Sequence, residues 1–230
     1  MSSINIEMLQ TVAKGLEELK EKVVFVGGAI AELYADDPAS SDIRPTQDID
    51  FTTELRSYKE LSEFEEDLRK KRFANDTSAG APICRWIYQN IKVDVMPADE
   101  NILGFKNKWY LVGVENKILK TLPDGTDIYV FTPEYYLASK FDAYNDRGGN
   151  DLRQSHDFED IIYVLDNCID ILENIKSANE NVKWYLKSEC KKLLNNEDLS
   201  EAIYCALPFG SDSDRVEMIK AMITAISEFD

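Results

Sequence analysis

The sequence predicts an α+β fold: a mixed sheet flanked by helices over residues 1–132, then a C-terminal helical bundle over 133–230 that closes a cleft. Three observations predict it. Short β-prone runs bounded by turn residues are confined to the stretch from Val23 to Thr132. From Pro133 onward, apolar residues recur instead at three- and four-residue steps. Strands grouped first and helices grouped after them indicate segregated layers rather than a repeating βαβ pattern.

Ile6, Leu9, Val12, Leu16 and Leu19 predict an amphipathic helix over 4–20. "KVVFVGG" reads as a short buried strand that ends on Gly27-Gly28, and "AIAELYA" restarts a helical pattern. "DDPASSDIRP" is loop by its Pro, Ser and Asp content. "DIDFTTE" alternates like a strand. "SYKELSEFEEDLRKK" follows as a helix, with Ser57 as N-cap and Glu60 three residues on, the pattern of a capping box. "PICRWIYQNIKVDVMP" reads as two strands joined at "QN", and "LVGVENKILKTLPDGTDIYVFTP" as further strand material around an Asp124-Gly125 turn. Pro133 suits a first helical position, and Gly148-Gly149 a helix stop. In "DFEDIIYVLDNCIDIL", residues Phe158, Ile161, Ile162, Leu165, Ile169 and Leu172 fall on one face.

Composition narrows the function classes. The chain has 230 residues, 44% of them hydrophobic, which is enough for a packed core. Against 26 Lys and Arg stand 43 Asp and Glu, giving a formal charge of −17. Such a chain is repelled on average by nucleic acid and by anionic membranes, so any nucleic-acid contact must be local or bridged by cations. Cys84, Cys168, Cys190 and Cys205 form no C-x-x-C pair, and His156 is the lone histidine, which argues against a zinc site. No signal peptide and no apolar run approaching about 20 residues is visible, so a cytoplasmic protein without membrane partners is expected.

The chemistry concentrates in "TQDIDF". Side chains two apart on a strand share a face, so Asp48 and Asp50 project together and repel each other. A hard divalent cation such as Mg²⁺, which takes oxygen ligands, removes that repulsion. Asp94 interrupts the apolar alternation of Ile91, Val93 and Val95 in "IKVDVMP". If this strand lies beside the first, three carboxylates converge, enough for a two-metal site. The junction at Gly27-Gly28 offers backbone N–H groups to phosphate. "LRKKR", Leu68 to Arg72, is the one dense basic run, readable as a helix C-terminus or as a patch for RNA.

Taken in order, "VGG…RPTQDIDF…VDV" resembles the nucleotidyltransferase superfamily that includes DNA polymerase beta. More narrowly, Arg44-x-Thr46-x-Asp48-Ile49-Asp50-Phe51 resembles the AbiEii-type nucleotidyltransferases, toxin-like members of abortive-infection and toxin–antitoxin systems. "ASKFDAYNDR", with Lys140 and Arg147, and "SHDFEDIIYVL", with Asp157 and Asp160, extend the likeness to about residue 165. Nineteen residues between Gly28 and Asp48 make a longer spacing than the superfamily usually shows, and His156 stands where the family often has a basic residue.

The resemblance implies transfer of a nucleoside monophosphate from a nucleoside triphosphate such as ATP to a hydroxyl on RNA (tRNA, for example) or on protein, with a cognate antitoxin as partner. Asp48, Asp50 and Asp94 would then hold two Mg²⁺ or Mn²⁺ ions, Asp94 serving as third ligand or as base. Gly27, Gly28, Thr46, Lys140 and Arg147 would bind the nucleotide, with Asp157 and Asp160 as accessory groups. Two alternatives stand beside this reading: an aminoglycoside-type enzyme acting on a small cationic acceptor, and a non-catalytic module that holds nucleotide or a partner. For Lys140 the alternative is a solvated helix lysine.

Overall fold

The computed structural model describes residues 3–36, 43–104, 106–147 and 151–229. The α+β class holds: a seven-stranded mixed sheet is flanked by helices. The chain divides into two compact units. One comprises Met1–Ile30 with Arg44–Thr132, and the other Ala31–Ile43 with Pro133–Asp230. The division is therefore not a single cut after residue 132, because segment 31–43 groups with the helical unit. Most of the "DDPASSDIRP" loop and the Gly148-Gly149 stop lie outside the described residues.

In the first unit, α1 (Ile4–Leu16) is capped by the Ser3 hydroxyl, which accepts from the Ile6 N–H. The predicted helix is shorter than its apolar period, since the last turns tighten into a 3₁₀ segment, Glu17–Lys22. The strands are β1 (Val23–Val26), β2 (Asp48–Thr53), β3 (Ala74–Asn75), β4 (Arg85–Tyr88), β5 (Ile91–Pro97), β6 (Lys117–Thr121) and β7 (Asp127–Phe131). They assemble in the order β3-β4-β5-β2-β1-β7-β6. β2 runs parallel to β5 and antiparallel to β1, while β1 runs parallel to β7.

Gln89 and Asn90, both at positive φ (47° and 66°), form the two-residue turn between β4 and β5, the conformation a tight hairpin requires. α2 (Tyr58–Lys70) starts at Ser57, whose hydroxyl accepts from the Glu60 N–H. Glu60 returns its carboxylate to the Arg56 N–H at 2.7 Å, one residue earlier than a capping box would. "LVGVE", read as strand material, is instead the short helix α3 (Tyr110–Glu115). Phe51 sits between Phe25 and Phe64 in edge-on contacts, which fastens β1, β2 and α2 into one core.

The second unit is helical. It comprises α4 (Pro133–Asp146), α5 (His156–Asn167), α6 (Ile171–Ser177), α7 (Glu180–Leu194), α8 (Leu199–Ala206) and α9 (Ser213–Glu228). Pro133 opens α4, and Ser155 caps α5 through the Phe158 N–H. Phe158, Ile161, Ile162 and Leu165 are buried as their spacing predicts. Ile169 is not: the helix ends at Asn167, the chain turns at Cys168, and Ile169 stands 78% exposed. Packing of α4 on α5 and α7, and of α7 on α9, supplies the core. Arg215 on α9 grips the nearly buried Asp166 on α5, its Nε donating at 2.8 Å.

"AIAELYA" forms a 3₁₀ helix, Gly28–Tyr34, rather than an α-helix. Among the described residues, no helix is long and apolar enough to cross a membrane.

Candidate metal centre

Register builds the centre. On β2, Ile49 and Phe51 point into the core with no exposure, which leaves Asp48 and Asp50 half-buried on the opposite face. β5 lies alongside in parallel register and pairs Asp48 with Lys92 and Asp50 with Asp94. The Asp94 side chain is 13% exposed. Each of the three carboxylates offers an oxygen, and these lie within 4.8 Å of one another. At that distance, and with an effective dielectric of about 20, each charged pair repels by roughly 3 kcal/mol. A sheet whose strands place like charges side by side carries that cost unless cations offset it.

One cation is already present. Arg85, on β4, is the cross-strand partner of Asp94. Its guanidinium grips Asp94 in a two-pronged pair: Nε donates to Oδ1 at 2.8 Å and Nη2 to Oδ2 at 2.7 Å. The same Nη2 donates to Asp48 Oδ2 at 3.1 Å. These bonds, that to Asp94 first, push the arginine pKa still higher, so Arg85 is charged throughout the physiological range. Arg85 thus offsets part of the negative charge that Asp48 and Asp94 place side by side. Beside them, burial and then the Asp94 charge push the Cys84 thiol up to about 12, so it stays protonated.

The supports are local. Gly27 takes φ of +75°, and a Cβ built on it would stand 1.9 Å from Asp50 Oδ2. Glycine is thus required here for two reasons, the left-handed backbone and the room the Asp50 carboxylate occupies. Gly28 opens the 3₁₀ segment. Thr46 donates its hydroxyl to Asp48 Oδ1 at 3.2 Å, which aims that carboxylate. The fully buried Asn5 holds Thr46 in turn: its Oδ1 accepts from the Thr46 N–H at 2.9 Å and its Nδ2 donates to the Arg44 carbonyl at 3.1 Å.

Sequence reading missed Arg85 and Asn5. Arg85 was within reach, because counting outward from the Gln89-Asn90 turn pairs it with Asp94. Asn5 carried no such signal, since it lies on the helix far along the chain from its partners.

Lys140, Arg147, Asp157 and Asp160 belong to the second unit, where they pair with one another. Lys140 is buried at 7% exposure, which sets aside the solvated-lysine reading. Its ammonium lies 2.6 Å from Asp160 and 3.4 Å from Asp157, and Arg147 also pairs with Asp157. His156 is exposed at the start of α5, with Nδ1 2.9 Å from Glu159. In the basic run, Lys71 pairs with Glu17 and Glu18, Lys70 with Asp67, and Arg69 with Glu65. That pairing favours the helix-end reading over an RNA patch. A cavity of about 410 Å³ lined by Lys22, Thr53, Glu60, Phe64 and Lys117 lies towards the far end of β2, and none of the three aspartates lines it.

No protein-family model matches the chain, and no curated protein matches it.

Proposed function

We propose that the protein is a metal-dependent nucleotidyltransferase that moves a nucleoside monophosphate from a nucleoside triphosphate to a hydroxyl of RNA or protein. One observation carries the reading: parallel register of β2 and β5 gathers Asp48, Asp50 and Asp94 oxygens within 4.8 Å of one another. The donor set fits the metal, because Mg²⁺ and Mn²⁺ take carboxylate oxygens and three of them converge here. Bound there, such ions would offset the triphosphate charge and ease ionisation of the attacking hydroxyl.

The chain's own residues divide the remaining work. Asp48, aimed by Thr46, and Asp50, given room by Gly27, hold their oxygens in place before substrate arrives. Asp94 serves as the third ligand or accepts the acceptor's proton. In the transfer, the acceptor oxygen bonds to the α-phosphorus, the bond to the bridging oxygen of the β-phosphate breaks, and pyrophosphate leaves. Positioning and charge offset supply the catalysis. The toxin-like assignment, with a cognate antitoxin, rests on the Arg44-x-Thr46-x-Asp48-Ile49-Asp50-Phe51 resemblance. One observation favours a small cationic acceptor as a second reading: the −17 charge, which would draw such a substrate in.

The test is transfer of label from each α-³²P nucleoside triphosphate, with Mg²⁺, to total RNA, to protein or to an aminoglycoside. Label in one pool, with stoichiometric pyrophosphate and no label for Asp50→Asn, supports the reading. Absence of Mg²⁺-dependent triphosphate binding by calorimetry would overturn it.

A further inference from the structure

A metal ion bridging Asp48 and Asp94 needs an oxygen of each at about 2.0–2.6 Å. Arg85 Nη2 already stands between Oδ2 of Asp94, at 2.7 Å, and Oδ2 of Asp48, at 3.1 Å. The nitrogen and a bridging ion cannot share that position. The Arg85 side chain is 18% exposed, so it reaches solvent as well as the carboxylates. Its register position on β4, fixed by the Gln89-Asn90 turn, keeps the root of the side chain beside the centre wherever the guanidinium points.

We propose that Arg85 is a positioning residue that acts as a resident counter-ion, and that metal entry is an exchange in which the guanidinium gives up its place between Asp48 and Asp94. This rests on the reading of the three aspartates as a metal centre. Without metal, Arg85 holds two of the three carboxylates at fixed separation and offsets their repulsion. With metal, the ion takes over that task and the guanidinium is released. The exchange makes the metal-competent arrangement a minor state of the free protein, and apparent affinity falls by the fraction in that state.

Titration of the full chain with Mn²⁺, followed by calorimetry, reads the exchange without activity. Arg85→Gln should bind Mn²⁺ about tenfold more tightly than the parent, or better. Arg85→Lys, which keeps the charge but loses the two-pronged grip, should fall between them, and it serves alone should Arg85→Gln not fold. Without metal, Arg85→Gln should melt below the parent, and saturating Mn²⁺ should close that gap. The Arg85 Nε–H resonance, assigned by its loss in Arg85→Lys, should move toward that of a solvated arginine on saturation with Mg²⁺. Equal or weaker Mn²⁺ binding by both variants, or a resonance unmoved while Mg²⁺ binds, overturns the exchange and leaves the metal centre standing. Mn²⁺ binding by neither the parent nor Arg85→Gln above the Asp50→Asn control removes the metal reading, and the exchange falls with it.

Discussion

At the scale of single residues, the three aspartates are alike in type but not in surroundings. Arg85 holds Asp94 in a two-pronged pair, so losing it takes two bonds from the guanidinium and leaves it its contact with Asp48. Asp94→Asn should cut transfer at least about a hundredfold and also destabilise the fold by about 1–3 kcal/mol; initial rates and urea midpoints together check both. Gly27→Ala should cost roughly 1–3 kcal/mol, since it combines a strained φ with a Cβ 1.9 Å from Asp50 Oδ2. It should also weaken Mn²⁺ binding by displacing that carboxylate, and thermal melts with and without Mn²⁺ separate the two effects. Burial sets the thiols: desolvation pushes both Cys84 and Cys190 up to about 12, against an ordinary value of 9.0. The native chain therefore keeps protons that the unfolded chain releases above pH 9. These thiols leave stability untouched below that pH and subtract from it as pH climbs toward 12. A double variant, Cys84→Ala with Cys190→Ala, should lose less stability across that window than its parent. Native alkylation read by mass spectrometry should mark the exposed Cys205 first.

At the scale of elements, the hairpin and the buried ion cluster carry the consequences. The two-residue turn at Gln89-Asn90 sets the β4–β5 register, and a one-residue slip there would turn Arg85 away from Asp94. In the second unit, Lys140 bridges from α4 to Asp157 and Asp160 on α5. Lys140→Met should destabilise that unit by about 3–5 kcal/mol, because Asp160, with no exposure, would lose the ammonium 2.6 Å away. Chemical unfolding followed by helical circular dichroism checks it. The elements most readable beforehand were those with strong local chemistry: a capped start at Ser57, a proline at the head of α4, a strand ended by two glycines. "LVGVE" went the other way because its β-branched residues favour a strand by propensity, while packing beside β2 and β7 curls it into α3. Ile169 fitted a helical period that the chain abandons two residues earlier, where nothing in the spacing announces the stop.

At the scale of the whole molecule, sheet order turns spaced letters into a site. Asp48-x-Asp50 and Asp94 lie more than forty positions apart, and local pattern supplies the face each occupies but not which strands are neighbours. Only the crossover that sets β5 beside β2 brings them together, which is why the pair was legible from sequence and the trio only conditionally so. The same sheet order brings in Arg85, whose charge offsets part of what Asp48 and Asp94 carry. The measurement that bears most directly on the account is the anomalous diffraction of crystals grown with Mn²⁺. The account predicts a peak among the Asp48, Asp50 and Asp94 carboxylates, with Arg85 drawn off Asp48. No peak at saturating Mn²⁺, with the guanidinium still between Asp48 and Asp94, would contradict it.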